Sequence, residues 1–154
     1  MIFLRVPALL SYRDLVTRAV ATAYKAAAAL DQSPSPALPS ESEAARELVN
    51  ELVSAVGEAF NNAVEHAYGG ASADRPVEVA IEYDPAGVML IRVSEWGQSF
   101  DLDAVPNPDL AALPESGMGL FIIRSFVDEL VYEKGDGAEK PNVLRMKKRL
   151  ISSG

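Results

Sequence analysis

The chain has no cysteine, which removes disulfides, thiolate nucleophiles and zinc held through sulfur. It has one histidine, His66, so a histidine-rich metal site is excluded as well. Basic side chains are few: 14 Lys and Arg stand against 22 Asp and Glu, a formal net charge of −8. That balance argues against nonspecific binding to nucleic acid or to an anionic membrane, since both favour basic surfaces. It is compatible with a basic protein partner. No segment approaches the roughly 18 apolar residues of a transmembrane helix. The start, MIFLRVPALLSYRDL, is apolar but interrupted by Arg5 and Arg13, and it lacks a basic leader followed by a continuous hydrophobic run. The expectation is a cytoplasmic protein with no membrane partner. What is present is 154 residues, 49% hydrophobic and 23% charged, which suits one compact domain over 1–154 able to bury its own core.

Periodicity predicts the elements. Residues 2–6 are short and apolar and read as a strand stopped by Pro7. Residues 11–30 are alanine-rich with helical spacing, with Ser11 and Asp14 in place for a capping box. DQSPSPALPS holds three prolines in ten residues and reads as a connection inside one domain. A long helix is expected from about Glu41 to Tyr68, with Ser40 as its cap, Glu43 at the matching position and Gly69-Gly70 ending it. PVEVAIEYD and GVMLIRVSE alternate around Asp84-Pro85-Ala86-Gly87, a hairpin signal. The tract from Trp96 to Glu115 has no clear period. Gly117-Met118-Gly119 then opens the buried-helix pattern LFIIRSFVDEL, and residues 129–134 and 142–150 form a second hairpin around Lys134-Gly135-Asp136-Gly137. This order predicts an α+β fold: a two-layer α/β sandwich, its mixed, mostly antiparallel sheet covered by helices on one face.

Chemistry concentrates in ELVSAVGEAFNNAVEHAYGG. Glu58, Asn61, Asn62, Glu65 and His66 fall within nine residues of one amphipathic helix. Residues four apart share a helix face, so Glu58 and Asn62 are neighbours. A carboxylate can act as a general base, and a carboxamide oxygen is a hard ligand suited to Mg²⁺. Gly57 and the Asn pair are poor helix formers, unexpected in a helix that only needs to be solvated. On spacing alone, the same stripe is equally a water-facing surface opposite Leu52, Val56, Phe60 and Val64. Two further motifs follow in order: Glu95-Trp96-Gly97-Gln98-Ser99-Phe100-Asp101 after a strand, and Gly117-Met118-Gly119-Leu120 at a helix start. A glycine after an acidic residue lets backbone lie flat against a nucleobase while the carboxylate accepts from its amino group. A Gly-x-Gly opening a helix aims free N–H groups at phosphate oxygens.

In this order and spacing the motifs resemble those of the GHKL (Bergerat-fold) ATPase superfamily, and within it the anti-sigma-factor serine kinases of the RsbW type. The resemblance covers essentially the whole chain. GEAFNNAVEHAY is similar to the family's first box, and ESGMGLFIIRSFVDEL to its third. It implies a histidine-kinase-like ATPase domain binding ATP or ADP with Mg²⁺. Glu58 takes the catalytic-base position and Asn62 the metal-ligand position. Glu95, Gly97, Gly117, Met118, Gly119 and Leu120 join Asn62 in binding the nucleotide, with a lid over the phosphates from about Asn107 to Ser116. It further implies a homodimer that sequesters a sigma factor and phosphorylates an anti-anti-sigma (STAS-type) protein on serine. The chain departs from the pattern in three places: Glu95 stands where the family has Asp, Ser99 where some relatives have a second glycine, and Pro141-Asn142 where relatives carry Gly-Thr. The second reading is therefore a non-catalytic partner-switching module on the same fold with a weakened nucleotide site. Outside the boxes, His66 reads as a structural residue favoured by the helix dipole. Arg124 is placed either to reach a phosphate or to pair with Asp128. Trp96 is placed either to pack on the base or to cover the core edge.

Overall fold

The computed structural model of the chain describes residues 1–30, 43–104 and 118–150. The proline-rich connection with Ser40, the expected lid and Gly117 lie outside the described residues. Strand β1 (Ile2–Ala8) leads through a 3₁₀ turn (Leu10–Tyr12) to helix α1 (Arg13–Leu30). Helix α2 (Glu43–Asn62) continues as a π-helical turn over Ala63–Ala67. Strands β2 (Ser72–Asp84) and β3 (Val88–Glu95) follow, then helix α3 (Met118–Phe126) and strands β4 (Glu129–Glu133) and β5 (Asn142–Arg149). The sheet runs β1-β2-β3-β5-β4.

The expected two-layer α+β sandwich is present. All four strand pairings are antiparallel, so the sheet is not mixed among the described residues. Alternation puts one side of each strand in the core. The register stacks Val6 on Val77, Val79 on Val93, Ile81 on Ile91 and Ile91 on Met146, and all of these are buried. Helix α2 lies between α1 and α3 and meets the sheet at β3. Its Leu52, Val56, Phe60 and Val64 are almost fully buried, so the apolar stripe read from the sequence is the face turned to the core.

Several boundaries differ from expectation. Strand β1, expected to stop at Pro7, runs through it to Ala8 with Pro7 opposite Pro76, and β2 starts at Ser72 rather than Pro76. Helix α1 starts at Arg13, and Ser11 lies inside the 3₁₀ turn rather than ahead of the helix. Helix α3 ends at Phe126, because Asp128 N–H donates to Lys147 O at 2.8 Å and its carboxylate accepts from Arg149 N–H at 2.6 Å, drawing the chain into the sheet. The long helix is α-helical only as far as Asn62; beyond it Tyr68 N–H closes on Ala63 O, a five-residue step. Gly69, at φ 72°, then turns the chain out, a conformation suited to glycine. Tyr68 fastens this end to the sheet: its hydroxyl donates to Pro76 O at 2.6 Å and accepts from Trp96 N–H at 2.9 Å.

Candidate functional site

A cavity of about 590 Å³ opens between α2 with its π turn, the start of α3, and the ends of β3 and β5. The five polar residues that cluster near the end of the long helix all line it: Glu58, Asn61, Asn62, Glu65 and His66. The stripe read alternatively as water-facing is therefore a cavity wall. The π turn gives the wall its far end, since Glu65 and His66 ride on it. Single π turns inside α-helices are frequent at functional sites.

Glycine 119 faces this wall. A side chain there would meet Glu58 Oε2 at 2.8 Å and Asn62 Oδ1 at 3.3 Å. Only a residue without Cβ leaves the space above the carboxylate and the carboxamide open. Met118 and Leu120 also line the cavity, so the described part of the Gly-x-Gly box is brought to the Glu58–Asn62 pair.

The other end of the cavity is built on Glu95, which is 6% exposed. Its longer side chain folds back, and Oε2 accepts from the Gly97 N–H at 2.6 Å. Burial pushes its carboxyl above the usual range; the Gly97 amide, the Asn142 side chain and the charge of Arg75 oppose that shift. Asn142, opposite Glu95 in the β3–β5 register and 2% exposed, ties this end together. It donates to Gly97 O at 3.0 Å and accepts from Ser99 Oγ at 2.6 Å and Gly135 N–H at 2.7 Å. The Phe100 and Tyr132 rings stack 4.2 Å apart on the same side and complete an apolar surface with Val93 and Leu144.

Not every expected residue reaches the cavity. Gly97 lies behind the wall, where its missing Cβ gives room to the Ala67 carbonyl at the end of the π turn. Trp96 also stays outside the lining: its indole N–H donates to Glu139 O at 2.9 Å and its ring faces the Arg5 guanidinium. The side chain turns to the opposite face from Glu95, which precedes it at the end of β3 and takes the inward direction. Arg124 donates to Leu102 O at 2.6 Å. His66 is exposed at the cavity rim.

Three participants were missed from the sequence. Tyr132, which lines the cavity, showed there only as part of a strand. Asn142 showed there only as a departure from Gly-Thr. Arg13 showed only as a break in an apolar start, yet its Nε donates to Gly57 O at 3.3 Å and its guanidinium lies 4.0 Å from Glu58 Oε1. The signal pointing to Arg13 was the unexplained glycine in mid-helix.

The residues present fit a nucleotide with its metal. The cavity lies within the roughly 300–1,000 Å³ range of ligand pockets. Gly119 keeps a cradle clear over two oxygen donors. Asn61 Oδ1, on the same wall, is buried without a hydrogen-bond partner, a deficit that a ligand or water would relieve.

A two-layer sandwich whose helix layer supplies a carboxylate and a carboxamide to a glycine-floored cavity is the architecture of an ATP-binding domain of the histidine-kinase type. Residues 16–148 match the model of the histidine kinase-like ATPase domain, and the chain belongs to that family. Among curated proteins it is similar to the serine-protein kinase RsbW of Staphylococcus epidermidis, 31% identical over 105 residues, covering 63% of this chain and 65% of that one. RsbW of Bacillus subtilis is 32% identical over 98 residues, covering 58% and 59%. The matched region thus spans about three fifths of the length of these relatives. Among solved structures, the SiaB–SiaC complex of Pseudomonas aeruginosa superposes with a TM-score of 0.58 at 14% identity, covering 96% of this chain and 89% of that one. A blue-light activated histidine kinase of Erythrobacter litoralis gives 0.53 at 19%, covering 86% and 40%. At such identities these two show a shared fold.

Proposed function

We propose that the chain is an ATP-dependent protein serine kinase that also acts as an anti-sigma regulatory factor, phosphorylating a STAS-type anti-anti-sigma protein and sequestering a sigma factor. The observation that carries the reading is the meeting of Glu58, Asn62 and Gly119 at one wall of the cavity. The similarity to the serine-protein kinase RsbW supports it.

In this reading Asn62 would hold Mg²⁺ through its carboxamide oxygen, and the ion would supply charge neutralisation at the phosphates. Glu58 accepts the proton of the acceptor serine as the hydroxyl attacks the γ-phosphorus and the bond to ADP breaks. Its carboxylate is partly exposed, with a side-chain accessibility of 25%, so an incoming hydroxyl can reach it. Gly119 keeps the approach to both oxygens open. Tyr132 and Phe100 offer flat apolar surface to the base, and Glu95 with Asn142 the polar edge. Phosphoryl transfer rests on positioning and electrostatics of this kind.

The experiment has two arms. Calorimetry with ADP and Mg²⁺ should show saturable binding at micromolar concentrations. Incubation with Mg-[γ-³³P]ATP and the STAS-type proteins of the same genome should label one of them on serine. Binding without labelling favours the second reading, a partner-switching module without catalysis. The folded-back Glu95, one oxygen already engaged by Gly97, is the feature that favours it. Absence of binding at millimolar ADP overturns the kinase reading and supports the module.

A further inference from the structure

We propose that Arg13 is a positioning residue for Glu58, seated on the Cβ-free face of Gly57 so that the first residue of α1 sets the direction of the base. The proposal rests on the reading of Glu58 as the base.

Three observations converge on it. Gly57 is buried in the middle of α2, where glycine is the least favourable residue after proline. A Cβ built on Gly57 has as its three nearest neighbours NH2, Cζ and Nε of Arg13, all too close to coexist with it. The glycine is thus the seat of one guanidinium. That guanidinium is held by two contacts of different kinds: its Nε donates to Gly57 O at 3.3 Å, and its NH2 faces Glu58 Oε1 at 4.0 Å. The second contact is long and partly hydrated, with accessibilities of 42% and 25%, so it contributes little to stability. Its consequence is directional. Glu58 Oε1 is drawn towards α1, while Oε2 stays beside Gly119 on the cavity side. One oxygen faces the guanidinium and the other is left for the proton.

Gly57→Ala makes this testable without dismantling the fold. Alanine raises helix propensity, and the atoms it would strike are the end of a flexible side chain, which can swing away. The variant should therefore fold and lose only the seat. In the free protein, the ¹⁵N-correlated Nε–H signal of Arg13 should be observable and should shift or vanish in Gly57→Ala. With Mg-ATP and the labelled acceptor, Arg13→Ala and Gly57→Ala should each lower kcat about 10-fold or more, the scale expected when a reacting group is slightly misplaced. Their affinity for Mg-ADP should match the parent chain. The double variant should be no slower than Arg13→Ala alone, and neither change should matter in a Glu58→Ala background.

An active parent chain with kcat unchanged in Arg13→Ala overturns the role of Arg13 alone. So do losses that persist without Glu58, or an Arg13 signal indifferent to Gly57→Ala. A parent chain that binds Mg-ADP yet labels no acceptor overturns the kinase reading and the role with it. The Arg13 signal then still reports whether the seat exists.

Discussion

The two faces of the central sheet treat their charges in opposite ways. On the face turned away from the helices, charged side chains pair across strands: Arg5 with Glu78, Arg92 with Glu82 at 3.6 Å, Arg145 with Glu133 at 3.2 Å and Lys147 with Glu129 at 3.4 Å. At the cavity end of the covered face, carboxylates are collected without a close opposite charge, and one buried amide oxygen without a hydrogen bond. Glu58 has a guanidinium only at 4.0 Å, Asn61 Oδ1 has no partner, and Glu95 is buried in spite of its charge. Exposed pairs of the first kind contribute little and are replaceable. Groups of the second kind are unfavourable for the fold by itself and mark a candidate functional site.

That contrast can be broken most sharply at Glu58. Replacing it by alanine should slow phosphoryl transfer by about 10²–10⁴-fold, the usual contribution of a positioned base, while Mg-ADP still binds in calorimetry. Normal transfer by this variant would remove Glu58 from the role. Next in size is Gly119→Ala. Its methyl enters the space 2.8 Å from Glu58 Oε2 and 3.3 Å from Asn62 Oδ1, so transfer should fall on the order of 10²-fold. Helix propensity meanwhile favours the alanine by about 1 kcal/mol, so thermal unfolding should not occur earlier.

A smaller effect is expected at Glu95, and it depends on pH. Its folded carboxyl is raised above 4.5 by burial, so the folded state holds a proton that the unfolded chain has released. Stability should then fall as pH rises from about 4.5 through the folded value, because the unfolded chain binds fewer protons over that window. Glu95→Gln should flatten this slope in urea titrations run at several pH values; an unchanged slope would place the titrating group elsewhere. The smallest effect belongs to the open face. Glu133→Gln breaks an exposed pair with Arg145 and should change stability by less than about 1 kcal/mol, leaving Mg-ADP binding as it was.

Much of this was readable one residue at a time. The amphipathic pattern of α2 placed Glu58, Asn61, Asn62, Glu65 and His66 on one wall, since helical spacing alone determines which residues share a face. Hairpin signals located β2 with β3 and β4 with β5, because turn residues such as Gly87 at φ 88° and Gly137 at φ 80° act locally. The π turn after Asn62, the early end of α3 and the outward turn of Trp96 were not legible. Each depends on contacts between segments far apart in the chain: Tyr68 with Pro76 and Trp96, Asp128 with Arg149, and Trp96 with Glu139.

By itself, then, the sequence determined the element types, the core face of α2 and the presence of a carboxylate, a carboxamide and a Gly-x-Gly box in order. These follow from periodicity and local backbone preference, which act over a few residues. Tertiary structure alone decided that Gly119 faces Glu58 and Asn62, that the space beside Gly97 is taken by the Ala67 carbonyl, and that Gly57 carries Arg13. In each case a glycine is required by an atom from another element, and no local pattern can show what will arrive in the space its missing side chain leaves.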